Sequence, residues 1–317
     1  MLIRIPASIG LAQLELFAQQ IAVTSDLDIE FEFETGPFDI HPVALCMAAA
    51  LANRTVASGA SSLVQVMPVS PEALNSMQFF ENVCRPDLAD PSTGEPAGSH
   101  IPISQILDNK ALNAFCSDFV PLLHTTPDRA EAVRYVLFEL IRNVIEHAGS
   151  DQGAYAAARI TEDGVLQVGV ADSGIGVKRS IQRAHAAETD EKAISLAFQP
   201  GVSGVARTFA GDDTNGGAGL FFMKAMATTS RQQMVMLTGT KMLRLEVQDA
   251  PVNVSANLSD DRVSWHDLLP PFNGTAVGID LSMGEGDDFE KLFASILTVY
   301  QLSTKAKKRA RNRARFT

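Results

Sequence analysis

Three short stretches in the second half of this 317-residue chain hold the residue types and spacings that can do chemistry. In the first, Glu139, Asn143 and His147 recur every four residues, which stacks them on one stripe if the segment is helical. The Asn143 amide offers a hard oxygen of the kind magnesium takes. Glu139, one turn earlier, is spaced to orient or deprotonate a water attacking a phosphate. The second stretch is Asp172-Ser173-Gly174-Ile175-Gly176. A carboxylate there can accept a hydrogen bond from the exocyclic amine of a purine, and Gly174 and Gly176 let the backbone approach the ring closely. The third is Gly216-Gly217-Ala218-Gly219-Leu220, opening a helical pattern. Backbone N–H groups from Gly217 to Leu220, helped by the helix dipole, suit phosphate oxygens.

Taken singly, each feature has an ordinary reading. Glu139 is then a solvated carboxylate on a polar stripe. His147 is a cation beside the last carbonyls of its helix, the DSGIG run is a strand-to-turn exit, and the glycines are a flexible loop. Lys178, Arg179, Lys192, Arg207 and Lys224 read as surface charges, with Arg207 the one placed to reach a terminal phosphate. The joint occurrence of the three stretches in this order favours a nucleotide site.

The elements that must position them follow from periodicity. Thr126-Pro127-Asp128 predicts a helix start, with Thr126 as N-cap and Pro127 at the first helical position. Val133, Val136, Leu137, Leu140, Ile141, Val144 and Ile145 then continue at i, i+3, i+4 and i+7, and Gly149 ends the helix. GAYAAARI and VLQVGVA read as a hairpin around Thr161-Glu162-Asp163-Gly164, and the second strand runs into Asp172. The segment from Val177 to Asn215 is of mixed composition and reads as a mobile cover more than a packed element. The helix FFMKAMATT and the strands RQQMVML, KMLRLEVQ and GTAVGIDLSM complete an α/β sheet.

The first hundred residues alternate strand and helix patterns: MLIRIP, LAQLELFAQQIAV, DIEFEFE, an Ala-rich run from His41 to Gly59, SSLVQVMPV and PEALNSMQFFENV. This order predicts a small α/β unit. Pro86 to His100 concentrates turn residues and marks a linker. The element order, with the passage FEFETGPFDIHPVALC, resembles a STAS-like domain, the fold of anti-sigma factor antagonists. Those proteins carry a phosphorylatable serine at this turn; here the stretch is Phe38-Asp39-Ile40-His41-Pro42.

Hydrophobic residues make up 46% of the chain and charged residues 20%, ordinary globular usage that excludes wholesale disorder. Cys46, Cys84 and Cys116 show no CxxC spacing, which argues against a disulfide framework or a zinc ribbon. With no apolar run of membrane-spanning length and no signal-like start, the expectation is a soluble, cytoplasmic protein. The formal charge is −11, and setting aside seven cations between Lys305 and Arg315 lowers it to −18. So acidic a body argues against a broad nucleic-acid footprint. The basic tail alone could meet nucleic acid, anionic lipid or an acidic partner, or serve as a solubilising terminus.

The run Glu139-Leu-Ile-Arg-Asn143-Val-Ile-Glu-His147-Ala resembles the N-box of the GHKL ATPase superfamily, the group of gyrase, Hsp90, histidine kinases, MutL-type ATPases and anti-sigma serine kinases. Asp172-Ser-Gly174-Ile-Gly176 is similar to its G1 box and Gly217-Ala-Gly219-Leu220 to its G2 box. Gly274-Thr275 sits where the family places the threonine supporting the adenine-binding aspartate. The resemblance spans roughly residues 127–283. It implies an α/β fold, the α+β two-layer sandwich of Bergerat type, with the smaller STAS-like α/β domain before it. The implied layout is residues 1–85, a linker at 86–105, an ATP-binding domain at 106–290, and a C-terminal helix with basic tail at 291–317. It further implies Mg and ATP as cofactors, with Asn143 as metal ligand, Asp172 as adenine anchor, Gly217 and Gly219 as phosphate loop, residues 177–216 as ATP lid, and Glu139 as general base. Two departures stand out: Val144 replaces the common alanine, and the G2 box carries one GxG.

The function implied is a signalling protein that hydrolyses ATP, or uses ATP-driven lid closure, to control an as yet unidentified protein partner. The alternatives are an anti-sigma-like serine/threonine kinase and a nucleotide-gated binding module without turnover. Self-association into a homodimer stays open. A sensor histidine kinase fits least, since His124 is followed by Thr125 in a short segment without the long dimerising helix pair such kinases need.

Overall fold

The computed structural model describes residues 1–21, 28–34, 39–65, 74, 77–83, 100–119, 121, 126–202, 219–247, 254–282 and 289–313. At its centre is a five-stranded sheet built from β6 (His100–Ile106), β7 (Ala154–Ile160), β8 (Val165–Asp172), β9 (Met234–Leu245) and β10 (Val263–Ser282). The spatial order is β6-β7-β8-β10-β9, and neighbouring strands run antiparallel. The expected hairpin is present: β7 and β8 pair from Tyr155↔Ala171 to Ile160↔Leu166, turning through Gly164 at φ +77°.

Alternation along these strands feeds two separate cores. Ala154, Ala156, Leu166, Val168, Val170, Val277 and Ile279 point to a face covered by helices of the second half. Those helices are α4 (Asn109–Phe119), α5 (Pro127–His147), α8 (Gly219–Thr229) and α9 (Phe289–Arg313). Tyr155, Ala157, Ala171, Val235, Leu237 and Ala276 point the other way, into the core of the N-terminal residues.

Those residues form their own parallel sheet, β1 (Leu2–Ile5), β3 (Ile29–Phe33) and β5 (Ser62–Gln65), in the order β1-β3-β5. A two-residue pairing of β2 (Ser8–Ile9) with β4 (Asp39–Ile40) lies beside it. Helices α1 (Leu14–Ile21), α2 (Pro42–Ala57) and the short α3 (Phe79–Asn82) complete the unit. The Ala-rich α2 is buried continuously from Pro42 to Ala52, because it lies between its own sheet and the five-stranded one. The closest approach is over two glycines that are cross-strand partners, Gly169 and Gly278. A Cβ on Gly169 would stand 2.1 Å from the backbone nitrogen of Val43, and one on Gly278 would stand 2.9 Å from Val43 Cγ1. One hydrophobic core therefore joins the described residues between Ile3 and Val83 to the back of the sheet.

The start of α2 is fixed by His41 as N-cap. Its Nδ1 accepts the Val43 N–H at 3.1 Å, leaving the proton on Nε2, which faces Asp280 Oδ1 of β10 at 3.2 Å. His41 is thus a buried capping histidine. Further polar ties between the two halves are Asp39–Arg159, Glu15–His266 at 2.7 Å and the Arg244 guanidinium on the Ala12 carbonyl at 2.9 Å.

The expectation of a loosely packed cover after Val177 needs correction for its first half. Residues 176–202 contain α6 (Gly176–Ile181) and α7 (Asp190–Ala197), which share a small core of Ile181, Ala187, Ala193, Ala197 and Val202. Thr189 caps α7, and Asp190 accepts both the N–H and the hydroxyl of Thr240 on β9, at 3.0 and 2.7 Å. Short apolar residues at helical spacing, diluted by Gln, Arg and Glu, hid these two helices in the sequence. Among the described residues, no helix is long and apolar enough to cross a membrane.

Candidate functional site

β8 ends on Asp172, and the neighbouring strands place three side chains in a row: Asp172 is opposite Thr275 on β10, which is opposite Thr238 on β9. Asp172 is only 1% exposed. Its Oδ1 accepts the Gly174 N–H at 2.7 Å, and the backbone N–H and hydroxyl of Thr275 also donate to the carboxylate. Burial pushes its pKa up to about 7, with these three hydrogen bonds opposing the rise.

The turn around this carboxylate has no slack. Gly274 sits at φ +95°, and a Cβ there would be 2.1 Å from the Asp172 carbonyl oxygen, so a glycine is required by conformation and by space. A Cβ on Gly174 would be 2.1 Å from the Ala148 carbonyl oxygen, which accepts the Ile175 N–H at 2.7 Å. The end of α5 is thereby fastened to the turn after β8.

Thr238 completes the arrangement, and sequence reasoning missed it. Its hydroxyl donates to the Gly274 carbonyl at 2.9 Å and accepts the Val177 N–H at 3.0 Å. One buried threonine therefore holds both the turn before Thr275 and the first turn of α6. Nothing in the local run Leu237-Thr238-Gly239-Thr240 marks it out; only the register of β9 against β10 does.

A pocket open to solvent lies over this row. Asp172, Thr275, Met236 and Val277 form its floor, and Asn143, Val144 and His147 of α5 one wall. Val177, Ile181 and Val202 of the following segment close the other side, and Leu220 at the start of α8 completes it. Among the described residues the lining is apolar apart from Asp172, Thr275, Asn143, His147 and Ser180, so their polar recognition is confined to a few points.

The first turn of α8 meets α5 without clearance. A Cβ on Gly219 would stand 2.9 Å from Asn143 Nδ2 and 3.2 Å from Glu139 Cβ. Of the expected site residues, Asn143, Asp172, Gly176, Leu220 and Thr275 line the pocket; Gly174 packs on Ala148 and Gly219 on Asn143 and Glu139, and Glu139 itself is not part of the lining. Gly217 and Arg207 lie outside the described residues.

Three ordinary readings are corrected by burial. Glu139 is 2% exposed, not solvated, and its Oε1 is 3.0 Å from the Arg142 guanidinium, which also reaches Glu146 at 3.3 Å. Burial lowers the pKa of His147, so it is neutral at pH 7 and lines the pocket instead of acting as a helix-end cation. Lys224, read as a surface charge, is 1% exposed. It forms an ion pair with Asp261 and donates to the Ser255 carbonyl at 2.9 Å. The cause is that α8 is buried on all sides, Phe221 to Thr228 alike, so its one cation needed a partner from a loop 37 residues away.

A magnesium ion takes few protein oxygens and completes its shell with water and phosphate. Of the residues expected to meet such an ion, Asn143 lines the pocket and its amide stands against the first turn of α8; among the described residues no group of three His, Cys, Asp or Glu side chains could hold a metal.

No curated protein matches the chain. Residues 110–246 match the family model of the histidine kinase-like ATPase domain, a range holding Asn143, Asp172 and Gly219, with Thr275 contributed from beyond it. Residues 110–246 are therefore similar to an ATP-binding, histidine kinase-like ATPase domain of the GHKL type.

Proposed function

We propose that this protein binds Mg-ATP in the pocket over Asp172 and hydrolyses it, using closure of the segment after Gly176 to control a protein partner. The observation that carries the reading is the Asp172 carboxylate, buried at the floor of an apolar pocket and held by Gly174 and Thr275. A carboxylate so placed is expensive to bury unless a ligand donor completes its shell, and the exocyclic amine of adenine is such a donor. Val277, Met236 and Ile181 would receive the base.

The phosphates would then lie towards the first turn of α8, whose N-terminal backbone N–H groups favour anions. Asn143 would hold magnesium there, and the ion's part is to neutralise charge on the phosphate oxygens. Glu139 is one turn along α5 from Asn143 and in contact range of Gly219. In this reading it takes the proton of the attacking water, and Arg142, 3.0 Å away, holds its carboxylate in one orientation. Residues 177–202, which already wall the pocket through Val177, Ile181 and Val202, would exclude bulk water from the nucleotide.

The same carboxylate could activate a protein hydroxyl, which is the kinase alternative. Phosphate release from Mg-ATP by the purified chain, beside Glu139→Gln, separates the cases. Release that disappears in the variant while ATP still binds supports hydrolysis with Glu139 as base. Release unchanged by the variant removes Glu139 from that role. Binding without release in either protein moves the function to phosphotransfer or to nucleotide-gated binding.

A further inference from the structure

The N-terminal unit reaches the pocket's floor from behind at one point. Helix α2 crosses the back of the sheet over Gly169, and its last turn presents Arg54 to the turn that precedes Thr275. With the Asn273 amide oxygen facing it, Arg54 donates to that oxygen from both terminal nitrogens, at 2.8 and 3.1 Å. Asn273 is followed directly by Gly274 and Thr275, the residues that abut and hydrogen-bond Asp172.

The packing around this contact differs from the rest of the junction. Over Gly169 the two halves touch backbone to backbone. At Arg54 the two halves meet instead across a narrow cleft, with Met47, Leu51 and Arg54 on one side and Ser173, Phe272 and Asn273 on the other. The hydrogen bonds therefore bear the contact here, and such a joint yields more readily than interdigitated apolar surface.

Resting on the reading of Asp172 as adenine anchor, we propose that Arg54 is a positioning residue for nucleotide recognition, and that the N-terminal unit sets ATP affinity through it. Arg54 fixes Asn273, Asn273 fixes the Gly274 turn, and that turn delivers the Thr275 N–H and hydroxyl to Asp172. A change in how α2 sits on the sheet reaches the adenine end of the pocket first and the phosphate end, built from α5 and α8, last.

The test is a calorimetric titration of the full chain with Mg-ATP and Mg-GTP. It uses wild type, Arg54→Ala, Arg54→Lys, Asn273→Ala, the double variant Arg54→Ala/Asn273→Ala and Asp172→Asn, each with its Tm. Arg54→Ala is expected to weaken ATP about fivefold, equivalent to about 1 kcal/mol, and to leave GTP affinity unchanged, so that the preference for ATP shrinks. Asn273→Ala should do the same, the double variant should be no worse than either single one, and Arg54→Lys should recover part of the loss. Wild-type ATP affinity in Arg54→Ala and Asn273→Ala, with Asp172→Asn impaired, overturns the inference alone. Equal loss of ATP and GTP together with a lowered Tm overturns it too, as general loosening. Wild-type ATP affinity in Asp172→Asn overturns the nucleotide reading, and the inference with it.

Discussion

Thr275 stands directly opposite Asp172 in the β8–β10 ladder and gives both its backbone N–H and its hydroxyl to that carboxylate. The pair sets the protonation of the pocket floor. Burial raises Asp172 to about 7, and Thr275 and Gly174 limit the rise. Only the ionised carboxylate can accept from the exocyclic amine as well as from these donors. ATP affinity should therefore fall about tenfold from pH 8 to pH 6. Thr275→Val removes one donor and should shift the midpoint of that pH profile upward. A flat profile measured by calorimetry over the same range would count against Asp172 as the titrating anchor.

Lys224 and Asp261 form a buried ion pair within the support of α8. Lys224 also lies 5.8 Å from the ring centroid of Phe221. Lys224→Met leaves Asp261 buried without its cation and should cost about 3–5 kcal/mol of stability in urea unfolding. Lys224→Met with Asp261→Leu removes both charges and should cost less than Lys224→Met alone. Equal losses in the single and double variants would show that the two charges are not coupled.

His41 is buried as the N-cap of α2, and burial lowers its pKa despite Asp280 beside it. A histidine whose folded pKa is depressed takes up its proton in the unfolded chain first. Its contribution to stability is thus lost as pH falls below about 6.5 towards the folded value, at roughly 1 kcal/mol per pH unit. Asn at this position keeps a cap acceptor for Val43 and does not titrate. The fall in Tm between pH 7.5 and pH 5.5 should accordingly be smaller in His41→Asn than in wild type. Asp172 and His147 titrate in both proteins, so the difference isolates His41. Parallel curves would place the capping proton elsewhere.

The parts of this structure that local sequence determines were legible in advance. Helix α5 runs from Pro127 to His147 because its apolar repeat and its Pro and Gly boundaries are consecutive residues, and the β7–β8 hairpin follows from alternation around a four-residue turn. What was not legible depends on distant partners. Lys224 looks like any helix-surface lysine until Asp261 is folded against it. Thr238 matters because β9 registers Thr238 beside Thr275. Gly169 and Gly278 read as ordinary strand glycines, yet as cross-strand partners they open the path for α2. The sandwich implied by the resemblance has helices on one face of its sheet; here the other face is covered as well, by the chain's own N-terminal residues.

The central claim is that Asp172 at the pocket floor binds the base of ATP, and a titration of Mg-ATP into wild type and Asp172→Asn tests it most directly. Asn keeps an acceptor for the Gly174 N–H and removes a carboxylate whose burial is unfavourable. Because the folded pKa of Asp172 is raised, the stability of its neutral form is complete below about 3.8 and is lost as pH rises through about 7. The variant at pH 8 should therefore melt at or above the wild-type Tm while ATP affinity drops tenfold or more. An unchanged ATP affinity in a folded Asp172→Asn protein would contradict the account.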